Sequence, residues 1–166
     1  MKVFKSKPDD FSLAMSDKTD AVERSSAIAR LRFDGCAELE SLLVKLLRHQ
    51  SFLLRRDAIV TLVGFWKKPE FVATALQMLV GDTDETVRGG AAYALAEFAA
   101  ETGMNKQNIL DGLSKQLKRE AQFGAQEACY KALLKLVAPN KLRLTAPGVF
   151  KRERDVDWNL LKSSLG

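Results

Sequence analysis

A helical motif recurs along this chain at a spacing of just over thirty residues, and that recurrence restricts the fold more than any other feature. The clearest copy is Asp82 to Phe98, DTDETVRGGAAYALAEF. Its opening acids and threonines suit a helix N-terminus. Val87, Ala91, Ala94, Leu95 and Phe98 then fall at i, i+4, i+7, i+8 and i+11, one face of a helix. Most of its small residues are alanine or glycine, so a second backbone can approach closely. Arg55, Ala58, Ile59 and Leu62 match Arg88, Ala91, Ala92 and Leu95 at an offset of 33. Arg24, Ala27, Ile28 and Leu31 match the Arg55 set at an offset of 31. Gln126, Cys129, Ala132 and Leu133 match Arg88, Ala91, Ala94 and Leu95 at 38. Such a period means stacked helical hairpins, none of which buries its own apolar face alone.

The segments between the copies read as helices too. Asp20 caps a helix to about Phe33, and Asp34-Gly35 ends it with glycine in its C-terminal role. Leu39, Leu42, Leu43, Leu46 and Leu47 form a wide stripe on a helix from about Ala37 to His49. Ser51 opens a helix to Trp66, and Lys67-Lys68-Pro69 forms the next turn. Pro69 suits the first turn of a helix that ends at Gly81. The helix of the clearest copy runs to about Glu101, and Gly103 closes it. Asn105 caps a helix over 106–120, and a further helix over 121–137 stops before Pro139. The expected fold is all-α, an α-α superhelix (a solenoid) of about four hairpins.

The Val87-Arg88 unit and the acids before it resemble a HEAT repeat, in the short bacterial form of the PBS lyase HEAT-like family also seen in phycobilin lyase subunits. The resemblance covers about residues 20–138, and the last copy departs from the pattern with Gln126 in place of arginine. It implies that the arginine column Arg24, Arg55 and Arg88 ties neighbouring repeats together through acidic partners, with Asp84 among the structural repeat positions. It also implies a curved groove lined by the second helix of each pair. Gly89-Gly90 lies inside a repeat helix, where close helix approach explains it better than phosphate binding.

The two ends differ from the repeats. Residues 1–19 are polar, with scattered Phe4, Phe11, Leu13 and Met15, and read as an arm or short helix that caps the first repeat. Residues 139–166 break the rhythm. Pro147-Gly148 rules out a regular helix there, and Asp157 then caps WNLLKSSL, where Trp158, Leu161 and Leu165 share a face. This tail reads as an inserted loop and a C-terminal capping helix, the second helix of a fourth repeat. Inserted loops in repeat proteins often lie on the binding face; the plain alternative is a flexible surface loop.

Composition narrows the function classes. No apolar run reaches the ~18–20 residues of a membrane span. The N-terminus lacks the continuous apolar stretch of a secretory signal. With Cys36 and Cys129 far apart, two plain thiols in a reducing cytoplasm are expected. The net charge of +5 is carried by residues 101–166, a modest excess that reads as a solvated surface or as an attraction for acidic protein or nucleic acid.

Catalytic chemistry is not signalled. His49 is the single histidine, so neither a histidine-rich metal site nor a Ser-His-Asp triad is indicated, and no cofactor or metal is implied. Asp82 and Asp84 sit where helix capping is the default role. Cys129 lies on an apolar face, as a buried inert thiol does.

The reading is a non-enzymatic protein-binding module, of scaffold, adaptor, lyase-like chaperone or immunity type, using the concave face of the solenoid. Its candidate partner-binding residues are Lys45, Arg48, Trp66, Lys67, Lys115, Lys118, Arg119, Arg152 and Arg154. Trp66 is weighed as an interface anchor against plain core packing. The expected partner is a folded protein with an acidic surface, bound by a monomer that becomes part of a heteromer, with no membrane involved. The alternative is a nucleic-acid binder resembling HEAT-like alkylpurine DNA glycosylases. Four repeats are few for enclosing a duplex, the interleaved acids repel phosphate, and that family's catalytic residues do not map onto this sequence.

Overall fold

The computed structural model describes residues 9–33, 37–144 and 150–165. The expected Asp34-Gly35 turn, Cys36, the start of the N-terminal arm, the Pro147-Gly148 break and the Leu165 side chain lie outside what it describes. All regular elements among the described residues are helical. The α-helices are α1 (Asp10–Met15), α2 (Ala21–Leu31), α3 (Ala37–Leu46), α4 (Phe52–Ile59), α5 (Val72–Gly81), α6 (Glu85–Thr102), α7 (Lys106–Arg119), α8 (Phe123–Val137), α9 (Arg152–Asp155) and α10 (Trp158–Leu165), joined by short 3-10 helices at Pro69–Phe71 and Pro139–Leu144.

The helices stack in two layers. One holds the motif helices α2, α4, α6 and α8, and the other holds α3, α5, α7 and α10. Helix α6 lies at the centre of the first layer, packed on α4 on one side and on α8 on the other. Val87, Ala91, Ala94, Leu95 and Phe98 are all fully buried, so the i, i+4, i+7, i+8, i+11 face is the packed one. Side chains such as Leu43, Leu79 and Leu113 fill the space between the layers and are fully buried. Each contributes about 1.5–3 kcal/mol relative to exposure.

The caps follow the sequence in most places. Asp20 Oδ1 accepts from the N–H groups of Val22 and Glu23 at 2.9 and 3.1 Å. Asp84 Oδ1 accepts from Thr86 N–H at 2.8 Å. Gly103 closes α6 at φ 69°, a left-handed backbone that favours glycine. Asn105 departs from expectation: it precedes α7 with φ 53°, and its side chain caps nothing. In that conformation the side chain does not reach the N–H groups that a cap in extended backbone serves.

Two further differences matter. The helix expected over 51–66 is α-helical only to Ile59 and continues as a π-helical turn over Val60–Phe65. That wider turn brings Gly64 against α6, where a Cβ built on Gly64 would stand 3.2 Å from the Ala94 Cα. The first layer therefore packs nearly backbone to backbone. The second layer packs through leucines and is broken by clefts, one between α3 and α5 and one between α7 and α10. The motif helices thus form the tightly packed layer and the second helices the more open one.

Candidate partner-binding surfaces

The arginine column is a structural ladder. Arg55 Nε and Nη2 both donate to Asp82 at 2.8 Å, and its Nη1 donates to the carbonyls of His49 and Gln50 at 2.9 Å. Arg88 Nε and Nη2 donate to Glu120 at 2.7 and 2.8 Å, and its Nη1 donates to the Asp82 carbonyl at 2.8 Å. Each guanidinium thus closes the preceding turn and grips an acid at the start of the next unit in a planar fork. Burial opposes ionisation of Glu120, but hydrogen bonds from Arg88, the Gln122 N–H and Gln116 outweigh it and hold the carboxyl at about 2. Burial likewise opposes ionisation of Asp82, which Arg55 and the Asp84 N–H still hold below the ordinary carboxylate range. The two acids of the capping pair have separate jobs: Asp84 caps α6, whereas Asp82 belongs to the ladder.

The ends of the ladder are improvised. Arg24 turns back towards α1, donating to the Ala14 carbonyl at 2.7 Å and pairing with Asp17 at 2.9 Å. At the other end Gln126 Nε2 donates to the Glu120 carbonyl at 2.6 Å. Arg152 then supplies a guanidinium from outside the pattern, with Nη1 2.7 Å from the Lys118 carbonyl. The arginine missing from the last copy is thus replaced by one from the tail.

That contact turns Arg152, expected at a partner interface, inward. Trp66 and Lys67 are also engaged within the fold. Trp66 Nε1 donates to the Arg32 carbonyl at 2.7 Å, and Lys67 pairs with Glu101 at 3.0 Å with only 18% of its side chain exposed. Arg154 is exposed and pairs with Asp155, which it holds at about 2 together with the Lys151 N–H. Arg119 is exposed and donates to Gln116 Oε1 at 2.6 Å.

Lys45, Arg48, Lys115 and Lys118 are different. All four are exposed on the second layer, and none has an ionic partner among the described residues. They fall at the two clefts. Lys45 and Arg48 edge the α3–α5 cleft of about 610 Å³, opposite Phe71 and Met78. Lys115 and Lys118 edge the α7–α10 cleft of about 370 Å³, floored by Trp158 and Leu161. Lys162 joins the second pair, a residue the repeat pattern did not single out because it lies in the tail helix. Between these clefts the layer is closed, since a Cβ on Gly112 would stand 2.8 Å from Leu76 Cδ2.

On the exposed side of the first layer three cations are already matched. Arg56 pairs with Asp57, Lys131 with Glu127 and Lys135 with Glu97. Groups associated with catalysis are engaged or suppressed. His49 Nδ1 accepts from the Ser51 N–H at 3.0 Å. Burial pushes the Cys129 thiol up to about 12, leaving it protonated and unreactive at neutral pH. Among the described residues no cluster of three His, Cys, Asp or Glu is placed to hold a metal, and no helix is long and apolar enough to cross a membrane.

Comparison with known families decides what this stack is. The model of HEAT repeats matches residues 9–96, more than half of the chain. The chain belongs to the HEAT-repeat family. The match takes in α1 through much of α6, so the HEAT motif of α8 and the tail lie beyond it. HEAT repeats generally mediate protein–protein contacts and are typically non-catalytic. No curated protein and no solved structure matches the chain.

Proposed function

We propose that this HEAT-repeat chain is a non-enzymatic protein-binding module, of the scaffold, adaptor or immunity kind, that takes the acidic surface of a folded partner on its second helix layer. The observation that carries this reading is the division of charge. Arg56, Lys131 and Lys135 on the first layer are matched within the chain, whereas Lys45, Arg48, Lys115 and Lys118 on the second have no ionic partner among the described residues. Unmatched surface cations raise association rates with acidic partners and set the salt dependence of binding. The apolar floors beside them, Phe71 and Met78 in one cleft and Trp158 and Leu161 in the other, supply the area that charge alone lacks. The setting in this reading is the cytoplasm, and the residues 139–166 act as loop and cap rather than as a separate unit.

Affinity capture on the full chain, with the partner identified by mass spectrometry, tests the reading. The expected result is a stoichiometric acidic protein that is lost when Lys45, Arg48, Lys115 and Lys118 are reversed to glutamate. Absence of such a partner, together with tight binding of single- or double-stranded DNA at low salt, would overturn it in favour of a nucleic-acid role.

A further inference from the structure

The first layer carries a feature that the ladder, the core and the proposed cation surface leave unused. Arg32, just past the end of α2, lies over the Phe65 ring with its Cζ 4.5 Å from the ring centroid. Phe33 meets the same ring edge-on at 5.7 Å and is 61% exposed. The Arg32 Nε donates to the Ala29 carbonyl at 2.8 Å, and no carboxylate among the described residues pairs with the guanidinium. Half-burial lowers its pKa, and Asp57, the acid that counters this, is itself hydrogen-bonded by Arg56 and Ser25. A guanidinium that is partly desolvated, held over an aromatic ring and without a carboxylate partner among the described residues is an unfinished ion pair.

The surface is continuous from there. Tyr93 lies alongside, its Cε1 3.8 Å from where a Cβ on Gly64, next to Phe65, would stand. Tyr93 is 45% exposed and forms one wall of a groove of about 450 Å³ between α6 and α8. The floor of that groove is Ala96, Ala128 and Ala132, and the charges on its rim pair with each other. One free guanidinium thus stands at the end of an aromatic bed that runs into a neutral, alanine-floored groove.

We infer that this strip is a second docking site, which takes a short protein segment with its carboxylate on Arg32 and a neighbouring aliphatic or aromatic side chain in the Tyr93 groove. The charge complementarity is specific: one unpaired cation calls for one anion, and the neutral groove calls for an apolar group beside it. A nucleic-acid strand would need a track of free cations, whereas Lys131 and Lys135 are already neutralised. Arginine and tyrosine are also the side chains enriched at interface hot spots. With its free cations on the opposite layer, the chain has two chemically distinct faces and fits a bridge between two partners. The inference rests on the protein-binding reading only in that the occupant is a protein segment.

Selection of a phage-displayed dodecapeptide library on the full chain tests it. The expected peptides carry aspartate or glutamate within a few residues of leucine, isoleucine or phenylalanine. Their synthetic forms should bind at least ~10-fold more weakly to Arg32→Ala and Tyr93→Ala, and equally well to Lys45→Glu/Arg48→Glu. Arg32→Ala keeps the Trp66 bond, which is made to the backbone carbonyl, and an unchanged thermal midpoint checks that the variant is folded. Arg32→Lys, which keeps the charge but loses the planar fork, should be intermediate. Peptides indifferent to Arg32 and Tyr93, or no enrichment at all, would overturn the site. Acidic peptides lost only on Lys45→Glu/Arg48→Glu would overturn the site yet leave protein binding standing. DNA binding without any peptide binding would remove both.

Discussion

The two layers of this solenoid solve different problems with similar apolar patterns. The motif helices are alanine-rich, approach backbone to backbone and match their own surface charges. The second helices are leucine-rich, stand apart at two clefts and leave their cations unmatched. The difference teaches that what defines a repeat and what it recognises need not share residues. The first layer contributes cohesion through the ladder and tight packing, and Arg32, unmatched among the described residues, sits at the edge of that packing. The second layer contributes charge, which acts at a distance and is tuned by salt.

The sharpest way to break this comparison is to cut the ladder. Arg88→Ala leaves the Glu120 carboxylate buried without its main partner, and we expect a loss of about 3–5 kcal/mol in urea denaturation. A loss below about 1 kcal/mol would place cohesion elsewhere. Next comes packing density. Ala91 is fully buried between helices, so Ala91→Leu should cost about 1–3 kcal/mol by overpacking. A smaller enlargement at the open α3–α5 cleft, Val44→Leu, which adds one carbon against three at Ala91, should stay within about 0.5 kcal/mol. Equal effects at the two sites would erase the contrast in spacing.

The acid limb of the stability curve gives a smaller effect. Glu120 ionises at about 2 in the folded chain against an ordinary value of 4.5. A carboxyl whose folded value is depressed stabilises the fold fully above its unfolded value and progressively less as pH falls towards the folded one. Stability should therefore decline between about pH 5 and pH 2, with Asp82 contributing in the same direction. Glu120→Gln should be less stable at pH 7 and show a shallower decline, read by denaturation at successive pH values. An unchanged slope would mean that the carboxylate is not held as described. Lys118→Glu should have the smallest effect on the fold, within about 0.5 kcal/mol, while weakening partner association and its salt dependence.

Much of this was legible in the residues. The face containing Val87, Ala91, Ala94, Leu95 and Phe98 fixes α6 as a packed helix, and the offset copies imply a stack. The alanines and glycines of that helix also signal the tight layer. The candidate site was harder to read. Composition marks Lys67 and Arg152 as cations much like Lys45 and Lys118. Only the fold shows that Lys67 meets Glu101 and that Arg152 fills the place of the arginine missing at Gln126. Arg32 carried no periodic signal, because its character comes from Phe65, more than thirty residues away in sequence.

The central claim is that the unmatched cations of the second layer recognise while the first layer holds the stack together. It is tested most directly by the variant Lys45→Glu/Arg48→Glu/Lys115→Glu/Lys118→Glu, assayed in parallel for thermal midpoint and for capture of the partner retained by the unmodified chain. A midpoint close to the parent's and loss of the partner are expected. A partner still captured at undiminished yield by the folded variant would contradict it.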